Sequence, residues 1–201
     1  MIYTTVDIQN WLRQCASRMM AAAPELNELD GRLGDGDLGV TLEKCGRLML
    51  EALAVPPISP SDLFKGCAFA CTRASGSSFG TLLAVAFMTL TKSTAGRSTL
   101  ESEDVAPLLA GVRDALMARG RSQLGDKTML DSIEALRVVA AAGGAGAVPE
   151  CEFLAAALHA LDVFRNRPNL IGRARMFGEK SVGLDDPGMV AVARILGVPR
   201  P

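Results

Sequence analysis

The feature that most constrains the fold is a helical spacing of apolar residues along almost the whole chain. These residues recur three or four positions apart, as on one face of an α-helix, and strand-like alternation is almost absent. The first such face is formed by Ile8, Trp11, Leu12, Cys15 and Met19. We expect Pro24 to end this first helix. The pattern predicts an all-α protein.

Glycine and proline divide the pattern into about eight helical segments. Ser59-Pro60 and Asp186-Pro187 are each typical of an N-cap followed by a first helical position. Another helix is expected to begin at Asp126, where the aspartate fits an N-cap. Gly80 to Lys92 is apolar on nearly all sides, which predicts a central, buried helix. With no repeat and no clear linker, residues 1–201 are expected to form a single domain.

Charge and hydropathy argue against two classes of partner. The formal net charge is −1, and no basic run or stripe indicates a nucleic-acid surface. The longest apolar stretch, Gly80 to Leu90, is far shorter than the ~20 residues that cross a bilayer. The first residues lack the basic and apolar regions of a secretory signal. We expect a cytoplasmic protein with neither a nucleic-acid nor a membrane partner.

Cysteine and histidine leave little room for sulfur or imidazole chemistry. The five cysteines include no CxxC pair, so we expect small core residues in a reducing compartment. The one histidine, His159, lies in the apolar run AAALHAL and is expected to be a core or interface residue. Chemistry is therefore expected from carboxylates, hydroxyls and backbone amides.

Ten residues between the first two helices hold three carboxylates and four glycines. The segment reads DGRLGDGDLG and contains Asp30, Asp35 and Asp37. Like charges this close repel unless a cation neutralises them, and hard oxygen ligands suit Mg²⁺. Glycines permit the turns that bring carboxylates together, and the amides that begin the next helix would favour a phosphate.

Two other structures are common for segments of this composition. An aspartate- and glycine-rich surface turn remains open as an alternative. An EF-hand calcium loop is excluded, because counting from Asp35 puts Val40 where that loop needs glycine and Gly46 where it needs glutamate.

Three later segments also combine glycines with hydroxyl or charged side chains. RASGSSFGT, at Arg73–Thr81, precedes an apolar helix and could cradle a phosphate, although it is not a Walker loop. GDKTMLD, at Gly125–Asp131, is equally explained by helix capping. GRARMFGEKS, at Gly172–Ser181, is followed by GLDDPG, and its basic residues fit either phosphate binding or solvated charge.

In this order, the four segments resemble the L subunit of dihydroxyacetone kinases and the matching C-terminal domain of the single-chain enzymes. The family pattern is an aspartate before GDGDHG, a GASGPLYGT-like loop, GDKTMLD, and GRASYLGERSIGHxDPG. The resemblance covers nearly the whole chain. It implies a single-domain, antiparallel eight-helix barrel or bundle with a nucleotide site at one end.

The resemblance also implies roles for individual residues. Asp30, Asp35 and Asp37 would carry Mg²⁺, with two ions expected, against the phosphates of ADP or ATP. The matching nucleotide-site positions are Asp30, Gly31, Leu38, Ala74, Ser75, Gly120, Met129, Arg173, Asp186, Pro187 and Gly188. Among these, Ala74 and Ser75 match the phosphate loop. No nucleophile from this chain is expected.

The sequence departs from the family pattern at four places. Leu38 replaces the histidine of GDGDHG, and Ser77-Ser78 replace Pro-Leu in the second loop. Arg73 replaces a glycine, and Lys180 stands where arginine is usual, which keeps the charge but not bidentate geometry. These differences leave the phosphoryl donor and the sugar substrate open.

The resemblance implies half of an enzyme, because nothing here resembles the K part that holds the ketone. We expect the chain to act with a K-like subunit on dihydroxyacetone or a related short ketose. ATP could exchange in each cycle, or bound ADP could be rephosphorylated by a phosphotransferase-system protein. A homodimer and a non-catalytic, nucleotide-binding regulatory module are further alternatives.

Overall fold

The helical pattern of the sequence is realised in a computed structural model, which describes residues 1–74, 76–144, 146 and 148–197. Within these ranges there are eight α-helices: α1 (Thr5–Leu33), α2 (Leu38–Ala52), α3 (Pro60–Ala74), α4 (Ser78–Ser93), α5 (Ser102–Gly120), α6 (Met129–Gly143), α7 (Glu150–Arg165) and α8 (Pro187–Leu196). A 3₁₀-helix, Ala174–Ser181, lies between α7 and α8. The all-α, single-domain prediction is confirmed.

The helices form a closed ring. Each packs on its neighbours in sequence, and α8 packs back on α1. Between α1 and α2, a Cβ atom at Gly46 would lie 2.5 Å from the carbonyl oxygen of Ala16, and one at Gly39 would collide with that of Ala23. The order of these two pairs shows that α1 and α2 run antiparallel. The first turns of α2, α4, α6 and α8 line one cavity, so the even-numbered helices begin at the same end of the ring.

The opposite end of the ring carries a small sheet that the sequence did not predict. β1 (Ile2–Thr4) precedes α1 and pairs antiparallel with β2 (Thr99–Glu101), which precedes α5. Tyr3 lies opposite Leu100 in this pairing. Each strand has three residues, too few for an alternating pattern to be recognised.

The core lies between the helices and is built largely from leucine, methionine, alanine and cysteine. Four cysteines are buried, and burial raises the pKa of the Cys15 and Cys67 thiols to about 12. The core prediction is wrong for Cys151, which is exposed on α7. His159 is exposed on the same helix and is not a core residue, and that it is an interface residue stays a prediction. Trp11, which belongs to the apolar α1 face named above, is 44 % exposed.

Pro24 does not end the first helix. α1 continues through it to Leu33, so the expected boundary is wrong. A proline inside a helix costs roughly 3 kcal/mol through a lost hydrogen bond and a steric clash. Pro24 is exposed, whereas Ala22, Ala23 and Leu26 around it are buried, so packing on both sides of the proline offsets the local cost.

Two further boundary or burial predictions need correction. α4 is not fully buried: only Gly80 and Leu83 are buried, while its other apolar residues are partly exposed because the helix lies in the wall of the ring. α6 starts at Met129 with Thr128 as its N-cap, rather than at Asp126. The Asp126 carboxylate instead accepts a hydrogen bond from the Gln123 amide, 2.7 Å away.

The cap-and-proline predictions are confirmed at both places. The Ser59 hydroxyl accepts the Asp62 amide hydrogen bond at 3.1 Å, and α3 begins at Pro60. Asp186 caps α8, which begins at Pro187. None of the helices in the described ranges has both the length and the apolar character needed to cross a membrane.

Candidate functional site

A cavity of about 730 Å³ lies at the end of the ring where the even-numbered helices begin. Its walls come from the last turns of α1 and α5, the first turns of α2, α4, α6 and α8, and the segment at Gly172–Met176. Small-molecule sites in proteins usually have volumes of roughly 300 to 1,000 Å³. The cavity is therefore large enough for a nucleotide.

The first turns of four helices line this cavity. The Asp186 carboxylate caps α8 by accepting the Met189 amide hydrogen bond at 2.9 Å. At the start of α4, the Ser77 hydroxyl accepts hydrogen bonds from the Gly80 amide at 3.3 Å and from the Thr41 hydroxyl at 3.0 Å. Each N-terminus carries partial positive charge, so together they favour an anionic ligand.

The three predicted aspartates lie together at the cavity wall. Asp30 is in the last turn of α1, and Asp35 and Asp37 follow in the connection to α2. Each offers one carboxylate oxygen, and the three oxygens lie within 4.8 Å of one another. Gly36 has φ 74°, a left-handed conformation that glycine adopts without strain and that turns the flanking aspartates. Three hard oxygen donors fit a Mg²⁺ ion.

Asp30 also organises the start of α2. Its Oδ2 atom accepts hydrogen bonds from the amides of Asp37 at 3.0 Å and Leu38 at 3.3 Å. One turn earlier, Asn27 accepts the Val40 amide hydrogen bond at 3.0 Å. The sequence-based expectation that these amides face a phosphate is wrong for Leu38 and Val40, because α1 side chains already satisfy them.

Basic side chains balance the aspartates. The Arg173 guanidinium forms an ion pair with the Asp35 carboxylate. Arg119, from the end of α5, and Arg175 also line the cavity. A candidate phosphate contact and a candidate metal ligand thus lie side by side, an arrangement suited to a ligand that carries both an anion and a cation.

Two carboxyl groups near the cavity have raised pKa values. Burial raises the pKa of Asp186 to about 6, against hydrogen bonds from the Met189 amide and the Asn169 side chain. Burial likewise raises the pKa of Asp131, which accepts the Gly125 amide at 2.6 Å and the Thr128 amide at 2.9 Å. Both groups secure helix starts at the cavity.

The structure brings most of the sequence-predicted site residues together. The cavity is lined by Asp30, Asp35, Asp37, Leu38, Gly120, Met129, Arg173, Asp186, Pro187 and Gly188. Gly31 does not line it and lies exposed on α1. Ala74 is buried in the core at the end of α3, away from the cavity surface. Ser75 lies outside the described residues.

Several cavity residues were not identified from the sequence. Phe79 and Met176 lie inside two of the motif segments, so their positions could have been included. Leu116, Arg119 and Ser122 line the cavity at the end of α5. No motif marks these three, because only the ring closure brings α5 to this end.

Most of the chain matches a protein-family model. The model described as the DAK2 domain matches residues 32–198, most of the chain. All four motif segments lie in that range, except for Asp30 and Gly31 of the first.

Curated proteins also match, and two of them are similar to this chain in length. The ADP-binding subunit DhaL of the PEP-dependent dihydroxyacetone kinase of Escherichia coli is 27 % identical, over 96 % of this chain and 94 % of that protein. The ADP-binding subunit DhaL of the PTS-dependent kinase of Lactococcus lactis is 29 % identical, over 93 % and 90 %. Human triokinase/FMN cyclase is 28 % identical over 92 % of this chain, which spans 33 % of that longer protein.

Solved structures share the fold. The dihydroxyacetone kinase of C. freundii, crystallised with AMP-PNP and Mg²⁺, superposes with a TM-score of 0.73 at 20 % identity. The match covers 98 % of this chain and 34 % of that one. The native form of the same kinase gives a TM-score of 0.75. At this level of identity, the likeness shows a common fold.

Proposed function

The chain belongs to the DAK2 domain family, and from this membership we propose that it is the nucleotide-binding subunit of a dihydroxyacetone-type kinase. The nucleotide-binding domain spans residues 1–201. The observation that carries the proposal is the cavity in which Asp30, Asp35 and Asp37 converge beside Arg173 and four helix N-termini. Such a site would bind the phosphates of ADP or ATP with Mg²⁺.

We assign the residues complementary roles in phosphoryl transfer. Asp30, Asp35 and Asp37 would hold Mg²⁺, which when bound neutralises phosphate charge. Arg173 would bind a phosphate oxygen after exchanging its contact with Asp35 for the ligand. Gly120 and Met129 would lie against the nucleoside, and the α8 start at Asp186 would close the site. The reaction then depends on positioning and charge, without a nucleophile from this chain.

The phosphoryl acceptor would be dihydroxyacetone or a related short ketose held by a separate K-like subunit. This assignment rests on the E. coli and L. lactis relatives, which match nearly end to end and are named as subunits of dihydroxyacetone kinases. The C. freundii kinase, which shares the fold, contained AMP-PNP and Mg²⁺, and this supports the same cofactors here.

We further propose that ADP stays bound and is rephosphorylated by a phosphotransferase-system protein. The two relatives of matching length are ADP-binding subunits of PEP- or PTS-dependent kinases, which supports this donor over free ATP. ADP retained through gel filtration, detected by mass spectrometry after denaturation, is the expected result. Loss of all nucleotide, with turnover in ATP alone, would contradict the donor assignment.

Reconstitution tests the kinase proposal. The chain is mixed with Mg²⁺, ADP or ATP, a K-like subunit, a phosphotransferase donor and dihydroxyacetone or a tetrulose, and the sugar phosphate is measured. We expect turnover that Asp35→Asn and Asp37→Asn abolish and that Glu43→Gln, on the outer face of α2, leaves intact.

A stable complex without turnover would overturn the kinase proposal. If such a complex also formed with the two aspartate variants, it would favour the regulatory module. Leu38 is the feature behind that alternative: it is a buried apolar side chain at the cavity wall, where the family pattern has histidine.

A further inference from the structure

Lys127 is a fully buried lysine outside the set of residues assigned to the nucleotide. It lies in GDKTMLD, the connection between α5 and α6, and is 0 % exposed. Its backbone has φ 61°, a left-handed conformation uncommon for residues other than glycine. Burying an ammonium group costs free energy unless all its donors are hydrogen-bonded, so the acceptors around Lys127 must account for its burial.

The Lys127 ammonium donates three hydrogen bonds to a single neighbouring segment. The acceptors are the carbonyl oxygens of Arg165 at 3.1 Å, Arg167 at 2.8 Å and Ser181 at 2.9 Å. An ammonium group has three N–H donors, so all of them are used. The acceptors lie at the two ends of residues 165–181, the segment that carries Arg173. We call residues 166–186, between α7 and α8, the Arg173 loop.

The backbone of the same connection also binds this loop. The Asn169 side-chain amide donates to the Lys127 carbonyl oxygen at 3.0 Å and to the Asp186 carboxylate at 2.8 Å. The Leu170 amide donates to the Asp126 carbonyl oxygen at 3.1 Å. Lys127 and its neighbour therefore bind the loop through both side chain and backbone.

The base of the loop has further contacts that do not involve the Lys127 ammonium as donor. The Gly183 amide donates to the Arg165 carbonyl oxygen at 2.9 Å, and the Arg165 guanidinium pairs with Asp185. Within the loop, Arg173 is exposed and pairs with Asp35 across the cavity. Its position thus depends on how the middle of the loop is held. Two buried groups join both ends of that middle section: the Lys127 ammonium and the Ser181 hydroxyl, which accepts the Asn169 amide hydrogen bond at 2.9 Å.

We propose that Lys127 is a positioning residue that fixes the Arg173 loop so that the Arg173 guanidinium lies at the phosphate end of the cavity. The expected effect on nucleotide binding rests on the proposed function. The hold of Lys127 on the loop does not depend on that function. It explains why a lysine follows Gly125-Asp126 in a segment where helix capping needs only Thr128 and Asp131. Lys127 does not line the cavity, so it would act on the nucleotide through Arg173.

Hydrogen–deuterium exchange of the whole chain tests the structural part. Lys127→Met removes the ammonium while keeping an unbranched apolar side chain, and Lys65→Met, at an exposed position on α3, is the matched control. We expect faster exchange confined to peptides within 166–186 for Lys127→Met, and an unchanged pattern for the control. Unchanged protection of that loop would overturn the proposal.

A double-mutant cycle with Arg173 tests the functional part. Titration of Mg–ADP into Lys127→Met should show an affinity lowered about tenfold or more, as for loss of a charge-assisted phosphate contact. In an Arg173→Ala background, the same substitution should change the affinity by less than about twofold, because its effect passes through Arg173. Equal losses in both backgrounds would indicate a merely structural role and overturn the proposal.

A second variant covers the case in which Lys127→Met does not fold. Asn169→Ala removes the bonds to the Lys127 carbonyl and to Asp186 while leaving the Lys127 side chain unaltered. We expect faster exchange within 166–186, smaller in size than for Lys127→Met, and unchanged protection of the loop in this variant would overturn the proposal. If the unaltered chain bound no Mg–ADP, the proposed function would fail, and the exchange experiment alone would decide on Lys127.

Discussion

At the scale of single residues, the aspartates Asp30, Asp35 and Asp37 have different structural roles. Asp30 holds the start of α2 with one carboxylate oxygen, whereas the Asp37 side chain makes no capping bond although it occupies the N-cap position. The three residues look equivalent in the sequence. They differ in the folded structure, because only Asp30 lies on α1 and faces the amides of the next helix.

These different roles predict that substituting Asp30 and Asp37 will affect stability differently. Asp30→Ala should lower the free energy of unfolding by about 1 to 2 kcal/mol through loss of the cap, whereas Asp37→Ala should change it by less than about 0.5 kcal/mol. Both variants relieve the same kind of charge repulsion, so the difference between them isolates the cap. Urea unfolding without added Mg²⁺ measures it. Equal destabilisation would contradict the role assigned to Asp30.

Asp186 predicts a pH dependence with a defined sign. Its folded-state pKa, about 6, lies above the ordinary value of 3.8, so the folded protein binds the proton more tightly than the unfolded chain does. The stabilisation from this proton is complete below the ordinary pKa and is lost as the pH rises through about 6. At pH 7 the ionised group therefore costs up to about 3 kcal/mol.

The comparison with Asp186→Asn makes this measurable, since the amide does not titrate. On acidification from pH 7 to pH 4, the unfolding free energy of the unaltered chain should rise relative to that of the variant. Other carboxyl groups titrate in both proteins and cancel in the difference. Urea unfolding at several pH values would detect the change, and a difference that is constant with pH would contradict it.

At the scale of elements, the close contact between α1 and α2 depends on two glycines of α2. Gly39 and Gly46 are seven residues apart on α2 and face the backbone of α1 at Ala23 and Ala16. This close approach brings the end of α1 against the start of α2, where the aspartates lie. The site geometry therefore depends on how near these two helices can come.

Gly46→Ala tests this contact against a glycine in a similar helix. The added Cβ would lie 2.5 Å from the Ala16 carbonyl oxygen, a backbone atom that cannot turn aside. We expect a loss of roughly 2 kcal/mol or more in stability. Gly66→Ala, on α3, meets only the Ala52 Cβ at 3.6 Å and should gain up to about 1 kcal/mol from better helix propensity. Thermal unfolding of both variants provides the measurement, and similar shifts for both would argue against the close contact.

At the scale of the whole molecule, the alternation of helix direction assembles the site. Motifs that are far apart in sequence lie in loops that join an odd-numbered helix to the next even-numbered one, and the ring brings these loops to one end. The sequence predicted the helices and the motif residues because apolar spacing and glycine-rich loops are local properties. Through their match to a family pattern, it also predicted ten of the residues that line the cavity.

What the sequence did not predict depends on contacts between distant residues. Pro24 continues a helix because packing exceeds a local penalty, and α4 is half-exposed because of its place in the ring. Arg119 and Ser122 reach the cavity only through ring closure. Lys127 looked like part of a capping segment, and its three acceptors lie 38 to 54 residues away in the chain.

We propose above all that Asp30, Asp35 and Asp37 join Mg²⁺ to a nucleotide in this cavity. Calorimetric titration of ADP, with Mg²⁺ and again with EDTA, tests it most directly in the unaltered chain, Asp37→Asn and the control Glu43→Gln. We predict Mg²⁺-dependent binding that Asp37→Asn weakens by about a hundredfold or more, while Glu43→Gln matches the unaltered chain. ADP binding that is equally tight with EDTA, or unaffected by Asp37→Asn, would contradict the account.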